Sequence, residues 1–146
     1  MIEEFVGSLA NQIKKSGYAP DYLVGITTGG LVPLGLLSKE LDINRIITVS
    51  ASSYEKDKQG ELTILYLPEI DLKHKKLLLI DEIAETGLTL KQISAAVVSK
   101  YQPLELKTAT IAVSKGRCKF YPDFFALEES GWLVFPWEKK DFPEYF

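Results

Sequence analysis

A chain of 146 residues, 46% hydrophobic and 25% charged, falls in the ordinary range for one soluble globular domain with a core of its own. Its net charge of −3, with Arg45 and Arg117 as the only arginines, argues against a general nucleic-acid binder, whose affinity would rest on phosphate neutralisation. No apolar run approaches the roughly 20 residues of a membrane helix, the lone Cys118 can form no internal disulfide and nothing resembles a secretory leader, so the reading is a cytoplasmic protein with no membrane partner.

Ile2, Phe5, Val6, Leu9 and Ile13 recur at helical spacing, and Gly17 closes that segment. Tyr22 to Ile26 is a short apolar run ending at Thr27-Thr28-Gly29-Gly30, which suits a buried strand entering a tight turn; a helix is predicted from about Leu31 to Leu41. Strands are predicted at Arg45 to Ser50, Leu62 to Leu67 and Lys76 to Ile80, the last too continuously apolar for an edge. After Thr89, the spacing of Leu90, Ile93, Ala96 and Val97 marks a helix, and Leu106 to Val113, enriched in Thr and Val, returns to strand. No repeat, low-complexity tract or linker interrupts the pattern, so residues 1–146 read as a single domain. Strand and helix in turn imply an α/β fold, an open, mainly parallel twisted sheet flanked by helices. Ligands bind such sheets outside the carboxyl ends of the strands, and both unusual loops of this chain follow strands.

The second of those loops, Asp81-Glu82-Ile83-Ala84-Glu85-Thr86-Gly87-Leu88-Thr89, sets three carboxylates and two hydroxyls in nine residues between a buried strand and a helix. Gly87 would let the backbone approach a ligand, the first amides of the helix would suit a phosphate, and Thr86 and Thr89 would add hydroxyl donors. Asp81 and Glu82 could accept hydrogen bonds from vicinal sugar hydroxyls or hold water on a magnesium ion. The same residues also suit an ordinary helix start, with Thr86 as the cap and acids in the first turn. His74, among Lys73, Lys75 and Lys76, shows no metal spacing, and Cys118 has no histidine partner that would make it a nucleophile.

The stretch Leu77 to Thr89 resembles the phosphoribosyl diphosphate signature of type I phosphoribosyltransferases: a hydrophobic strand, two acids, two variable residues, an acid, then Thr-Gly-x-Thr. Val24 to Pro33 resembles the diphosphate loop of that family, in which members often hold an unusual peptide bond. Ser52 to Glu61 is similar to the mobile catalytic loop of the short bacterial xanthine-guanine enzymes, and Gly131 to Glu138 to their C-terminal purine pocket. Four motifs in this order span most of the chain, with the nearest likeness to the short xanthine-guanine and hypoxanthine (6-oxopurine) enzymes.

The resemblance implies the type I phosphoribosyltransferase fold with a small C-terminal hood, from about residue 120 to 146, over the purine. It implies transfer of phosphoribosyl from phosphoribosyl diphosphate to hypoxanthine, guanine or xanthine in purine salvage, with Mg²⁺ as cofactor and a homodimer or homotetramer as the assembly. By similarity, Asp81 and Glu82 hold the ribose hydroxyls and the magnesium shell, and Ala84, Glu85, Thr86, Gly87, Leu88 and Thr89 surround the 5-phosphate. Thr28, Gly29 and Gly30 face the diphosphate, with Ser53 and Tyr54 contributed by the mobile loop. Glu85 handles the purine N7 proton, which makes it, with Asp81 and Glu82, the catalytic set. Lys115 contacts the 6-oxo group, Trp132 stacks on the ring and the backbone near Leu133 reads its edge. Three positions depart from the pattern: Thr28 and Gly60 stand where close relatives carry basic residues, and Glu85 where they carry Asp. These departures leave two further readings, a binding paralogue that senses a nucleotide or phosphoribosyl diphosphate, and a transferase for another base such as a pyrimidine.

Overall fold

A computed structural model of the chain describes residues 2–53, 62–130 and 135. Helix α1 (Ile2–Ser16) turns Val6, Leu9, Ala10 and Ile13 inward, with Glu3 and Glu4 in its first turn and Lys14 and Lys15 in its last, a distribution that complements the helix dipole. There follow β1 (Tyr22–Thr27), α2 (Leu31–Leu41), β2 (Ile46–Ser53), β3 (Leu62–Tyr66), β4 (Lys76–Ala84), α3 (Leu88–Tyr101), β5 (Glu105–Ser114) and β6 (Phe124–Glu129). The six strands form one sheet in the order β3-β2-β1-β4-β5-β6. All neighbours run parallel except β2 and β3, which are antiparallel.

The sequence pattern of β4 explains its central place. Leu77, Leu78, Leu79 and Ile80 are each 0% exposed, because β1 and β5 flank the strand and helices cover both of its faces. Alternation divides the run. Leu77 and Leu79 pack with Leu90, Ile93 and Val97 of α3, while Leu78 and Ile80 pack with Leu9 and Ile13 of α1 and Leu34 and Leu37 of α2. The chain lays β1 to β3 outward in one direction and then returns to place β4 to β6 on the other side, so the order reverses between β1 and β4. Strands that diverge there leave a crevice at their carboxyl ends.

Three features differ from the sequence expectation, the first being β2, which runs to Ser53 rather than Ser50 and so takes Ser52 and Ser53 of the expected loop into the sheet opposite Thr63 and Leu62. β4 does not stop at Ile80 but continues to Ala84, since Asp81 pairs with Thr110, Ile83 with Ala112 and Ala84 with Val113. Here the ladder offered by β5 outweighs the poor strand preference of two acids. The sheet also has a sixth strand that apolar patterning did not show: Phe124–Glu129, within the stretch assigned to the hood, pairs in parallel with β5 from Ala109 to Ser114. Its start is tied down by Asp123, whose carboxylate accepts the Thr108 amide at 2.8 Å. Among the described residues no helix is long and apolar enough to cross a membrane.

Because Leu79 is closed in on every side, Leu79→Ala is expected to lower unfolding stability by about 2–5 kcal/mol. Urea denaturation should show the midpoint falling with little change in slope; a loss below about 1 kcal/mol would contradict the interior position of β4.

Candidate functional site

At the crevice between β1 and β4 lies a cleft of about 420 Å³. Ile26, Thr27 and Gly29 wall it on the β1 side, residues 81 to 87 and Thr89 on the β4 side, and Arg117 reaches it from the turn after β5. The structure therefore gathers Gly29, Asp81, Glu82, Ala84, Glu85, Thr86, Gly87 and Thr89 around one space. Thr28 and Leu88 are exposed beside lining residues without joining the wall, and Lys115 is exposed with its amide donating to the Glu129 carbonyl at 2.7 Å. Ser53 closes β2 opposite Leu62. Tyr54, Gly60, Trp132 and Leu133 lie outside the described residues.

The β1 side is built by close backbone approach. The Thr27–Thr28 peptide is cis, in the loop where the resemblance implies an unusual bond, and Thr27 Oγ1 shares a 2.7 Å hydrogen bond with Ser50 Oγ. Gly30 is buried, its amide donates to the Ile26 carbonyl at 2.7 Å, and a Cβ there would meet the Ile80 carbonyl at 2.5 Å. That amide is therefore already engaged within the fold. At Gly29 a Cβ would meet the end of the Glu82 side chain, so that carboxylate occupies the space a larger residue would take.

On the β4 side, Asp81 is 7% exposed and its Oδ1 accepts the Glu82 amide at 2.9 Å. Burial first, and then the adjacent Glu82 carboxylate, push the Asp81 carboxyl well above the usual carboxylate range; the amide offsets this only in part. The following turn corrects the simple helix-start reading. Gly87, at φ 86°, is the N-cap of α3, Thr86 is not, and the first turn of the helix holds no acid. Thr86 Oγ1 instead accepts the Leu88 amide at 3.2 Å. The first helical bond runs from Lys91 to the Gly87 carbonyl at 2.9 Å, so the Thr89 and Leu90 amides precede it at the helix N-terminus, the end that favours an anion. A Cβ at Gly87 would strike the backbone of Phe120. Glycine is thus demanded by a positive φ and by the neighbouring loop, which also donates the Lys119 amide to the Thr86 carbonyl at 2.8 Å.

Sequence reasoning counted Arg117 only toward net charge, yet its Nη1 lies 2.7 Å from Glu85 Oε1. Both side chains of that pair are about half exposed, so it adds little to stability. Its signal was positional: it falls just beyond the carboxyl end of a strand predicted as parallel, the side on which such sheets bind ligands. Chemically, the cleft combines clustered carboxylates suited to hydroxyls or a hard cation with amide and hydroxyl donors suited to an anion.

A family model described as the phosphoribosyl transferase domain matches residues 1–140. The chain is 34% identical over 117 residues to the xanthine-guanine phosphoribosyltransferase of Desulfotalea psychrophila, across 80% of this chain and 69% of that one. Among solved structures it resembles a purine phosphoribosyltransferase from Pyrococcus horikoshii, with 27% identity and a TM-score of 0.81 over 93% of this chain and 87% of the other. It also resembles the xanthine-guanine-hypoxanthine phosphoribosyltransferase of Helicobacter pylori, with 25% identity and a TM-score of 0.83 over 97% and 92% of the two chains.

The raised Asp81 value has a consequence for stability whose sign follows from linkage. A carboxyl that binds its proton more tightly when folded favours the folded state fully below the unfolded value, about 3.9, and that contribution is lost as pH rises through the native value. Asp81→Asn, which keeps the Oδ1 acceptor, should therefore be more stable than the parent at pH 8, with the gap closing toward pH 4. Thermal melts across this range are the check; a variant less stable at pH 8 would show that the carboxylate is not a buried burden.

Proposed function

Because the chain belongs to the phosphoribosyl transferase domain family, we propose that it moves the phosphoribosyl group of phosphoribosyl diphosphate onto a 6-oxopurine: hypoxanthine, guanine or xanthine. The observation that most supports this is the meeting of Asp81 and Glu82 with the Glu85–Thr89 turn and Gly29 in one cleft at the point where strand order reverses. Sugar hydroxyls and a phosphate monoester are the two halves of such a donor, and the two walls suit them separately.

In this reading the phosphate monoester rests on the turn at Thr86, Gly87 and Thr89, with the Thr89 and Leu90 amides as donors. Asp81 and Glu82 accept the ribose hydroxyls. That orients C1 toward the base, a positioning effect of the kind that carries much of the rate in a two-substrate reaction. As the bond from C1 to the attacking purine nitrogen forms, the C1–oxygen bond to the diphosphate breaks, the leaving group takes the electron pair, and the proton on the purine's other imidazole nitrogen, N7, passes to Glu85. Lys115 donates to the 6-oxo group. Trp132 and Leu133, outside the described residues, take the ring face and edge, and Ser53 and Tyr54 belong to the segment that would exclude water.

A magnesium ion suits this donor set. Asp81 and Glu82 present hard oxygens side by side, and among the described residues no group of three or more His, Cys, Asp or Glu is placed to hold a metal. The remaining positions would fall to water and substrate oxygens, the pattern magnesium favours. The chemistry a bound ion supplies is screening of the charge on the departing diphosphate. A single domain over residues 1–146, a homodimer or homotetramer, and a cytoplasmic setting complete the proposal.

With phosphoribosyl diphosphate and Mg²⁺, the purified protein is expected to convert at least one of hypoxanthine, guanine and xanthine to its nucleotide with release of diphosphate, and to lose that activity in EDTA. Failure with all three, or activity confined to adenine or a pyrimidine, would sink the proposal. Lys115→Met should lower kcat/KM for the 6-oxopurine about 10- to 100-fold, the scale of one hydrogen bond from a charged donor. An unchanged value would remove Lys115 from base recognition.

A further inference from the structure

Arg117 is the one cationic side chain among the described residues that line the cleft, where it faces Asp81, Glu82 and Glu85. A phosphoribosyl donor brings several negative charges into that acidic space, where a basic side chain beside its phosphate monoester would add to the turn's amides and hydroxyls. We infer that Arg117 is that side chain, and that it exchanges Glu85 for the phosphate when the donor binds; this rests on the function proposed above.

Three observations carry the inference. The loop bearing Arg117 is fastened to the phosphate turn, through the Lys119 amide on the Thr86 carbonyl at 2.8 Å and the close approach of Phe120 to Gly87. The guanidinium already reaches the residue just before that turn, with Nη1 2.7 Å from Glu85 Oε1. Finally, the Glu85–Arg117 pair is solvent-exposed on both sides, at 46% and 58%, and so is weakly held and readily exchanged. A phosphate dianion offers the planar guanidinium fork greater charge and more acceptor oxygens than one carboxylate, and takes it preferentially.

The exchange has a consequence for the order of events. With Arg117 on Glu85, one of the carboxylate's two oxygens already accepts from a donor, which narrows the geometry open to the purine proton. With Arg117 on the phosphate, that oxygen is released as the donor arrives, so occupancy of the phosphate turn prepares Glu85 for the base. The residue two positions after Lys115 thus links the phosphate end of the cleft to its proton-accepting end.

The test is calorimetric titration of guanosine 5′-monophosphate, with guanosine as the control lacking the phosphate, into the parent, Arg117→Gln, Arg117→Lys, Glu85→Gln and the Arg117→Gln/Glu85→Gln double variant. Arg117→Gln should weaken the nucleotide about 10- to 100-fold and leave guanosine unchanged, with Arg117→Lys in between. Glu85→Gln should tighten the nucleotide several-fold, and this gain should vanish in the double variant because it depends on a freed guanidinium. Nucleotide affinity unaltered by Arg117→Gln overturns the inference alone, as does a Glu85→Gln gain that persists without Arg117, which would mean simple relief of repulsion. A parent protein that binds neither ligand and turns over no base removes the proposed function, and the inference with it.

Discussion

Everything at the cleft depends on the complete burial of the apolar run of one strand. Leu77 to Ile80 are held between β1 and β5 edge to edge and between α3 and the α1–α2 pair face to face, so the line of β4 can neither shift nor rotate. Two acids placed at the end of so constrained a strand are aimed by the core beneath them, and a one-residue slip would send each apolar side chain to the opposite layer. The parallel neighbours bring the carboxyl ends of β1, β4 and β5 to the same edge. Residues far apart in the chain, Gly29, Asp81 and Arg117, consequently face one volume.

Electrostatics then set the character of that volume. The core that positions Asp81 also strips it of water, and the neighbouring Glu82 adds a like charge, so the pair favours a proton, a hydroxyl donor or a cation. A site with this disposition is poorly matched to an empty resting state and well matched to a sugar diol or a hard metal ion. At the other end, helix amides and Arg117 carry the complementary sign. The cleft therefore holds both signs, carboxylates along the end of β4 and amides with Arg117 at the turn that follows.

Glycines determine how closely the walls approach. Gly29 admits the Glu82 carboxylate, Gly30 lies against two strand carbonyls, and Gly87 accepts both a positive φ and the backbone of Phe120. Of these, Gly30 and Gly87 serve protein–protein packing that a reading in terms of ligand approach alone overlooks. The same backbone contacts, with the Lys119 amide on the Thr86 carbonyl, join the turn after β5 to the turn at Thr86 and Gly87 and bring Arg117 to the cleft wall.

Local pattern was enough to identify most of the elements, because apolar periodicity reports directly which residues must leave water. The run from Leu77 to Ile80 declared a buried central strand, the spacing of Leu90, Ile93 and Val97 a helix after it, and Asp81 through Thr89 a chemically loaded segment between them. What local pattern could not contain was any quantity that depends on a partner strand or loop. The continuation of β4 through Asp81 and Glu82 was decided by the hydrogen bonds β5 offers, and the sixth strand, with its mixed Phe124–Glu129 sequence, exists because β5 had an open edge. Arg117 met Glu85 only when the sheet closed the distance between two turns that share no sequence neighbourhood. Propensity and periodicity are properties of a segment, whereas pairing, desolvation and ion contact belong to the space between segments, and only the folded chain defines that space.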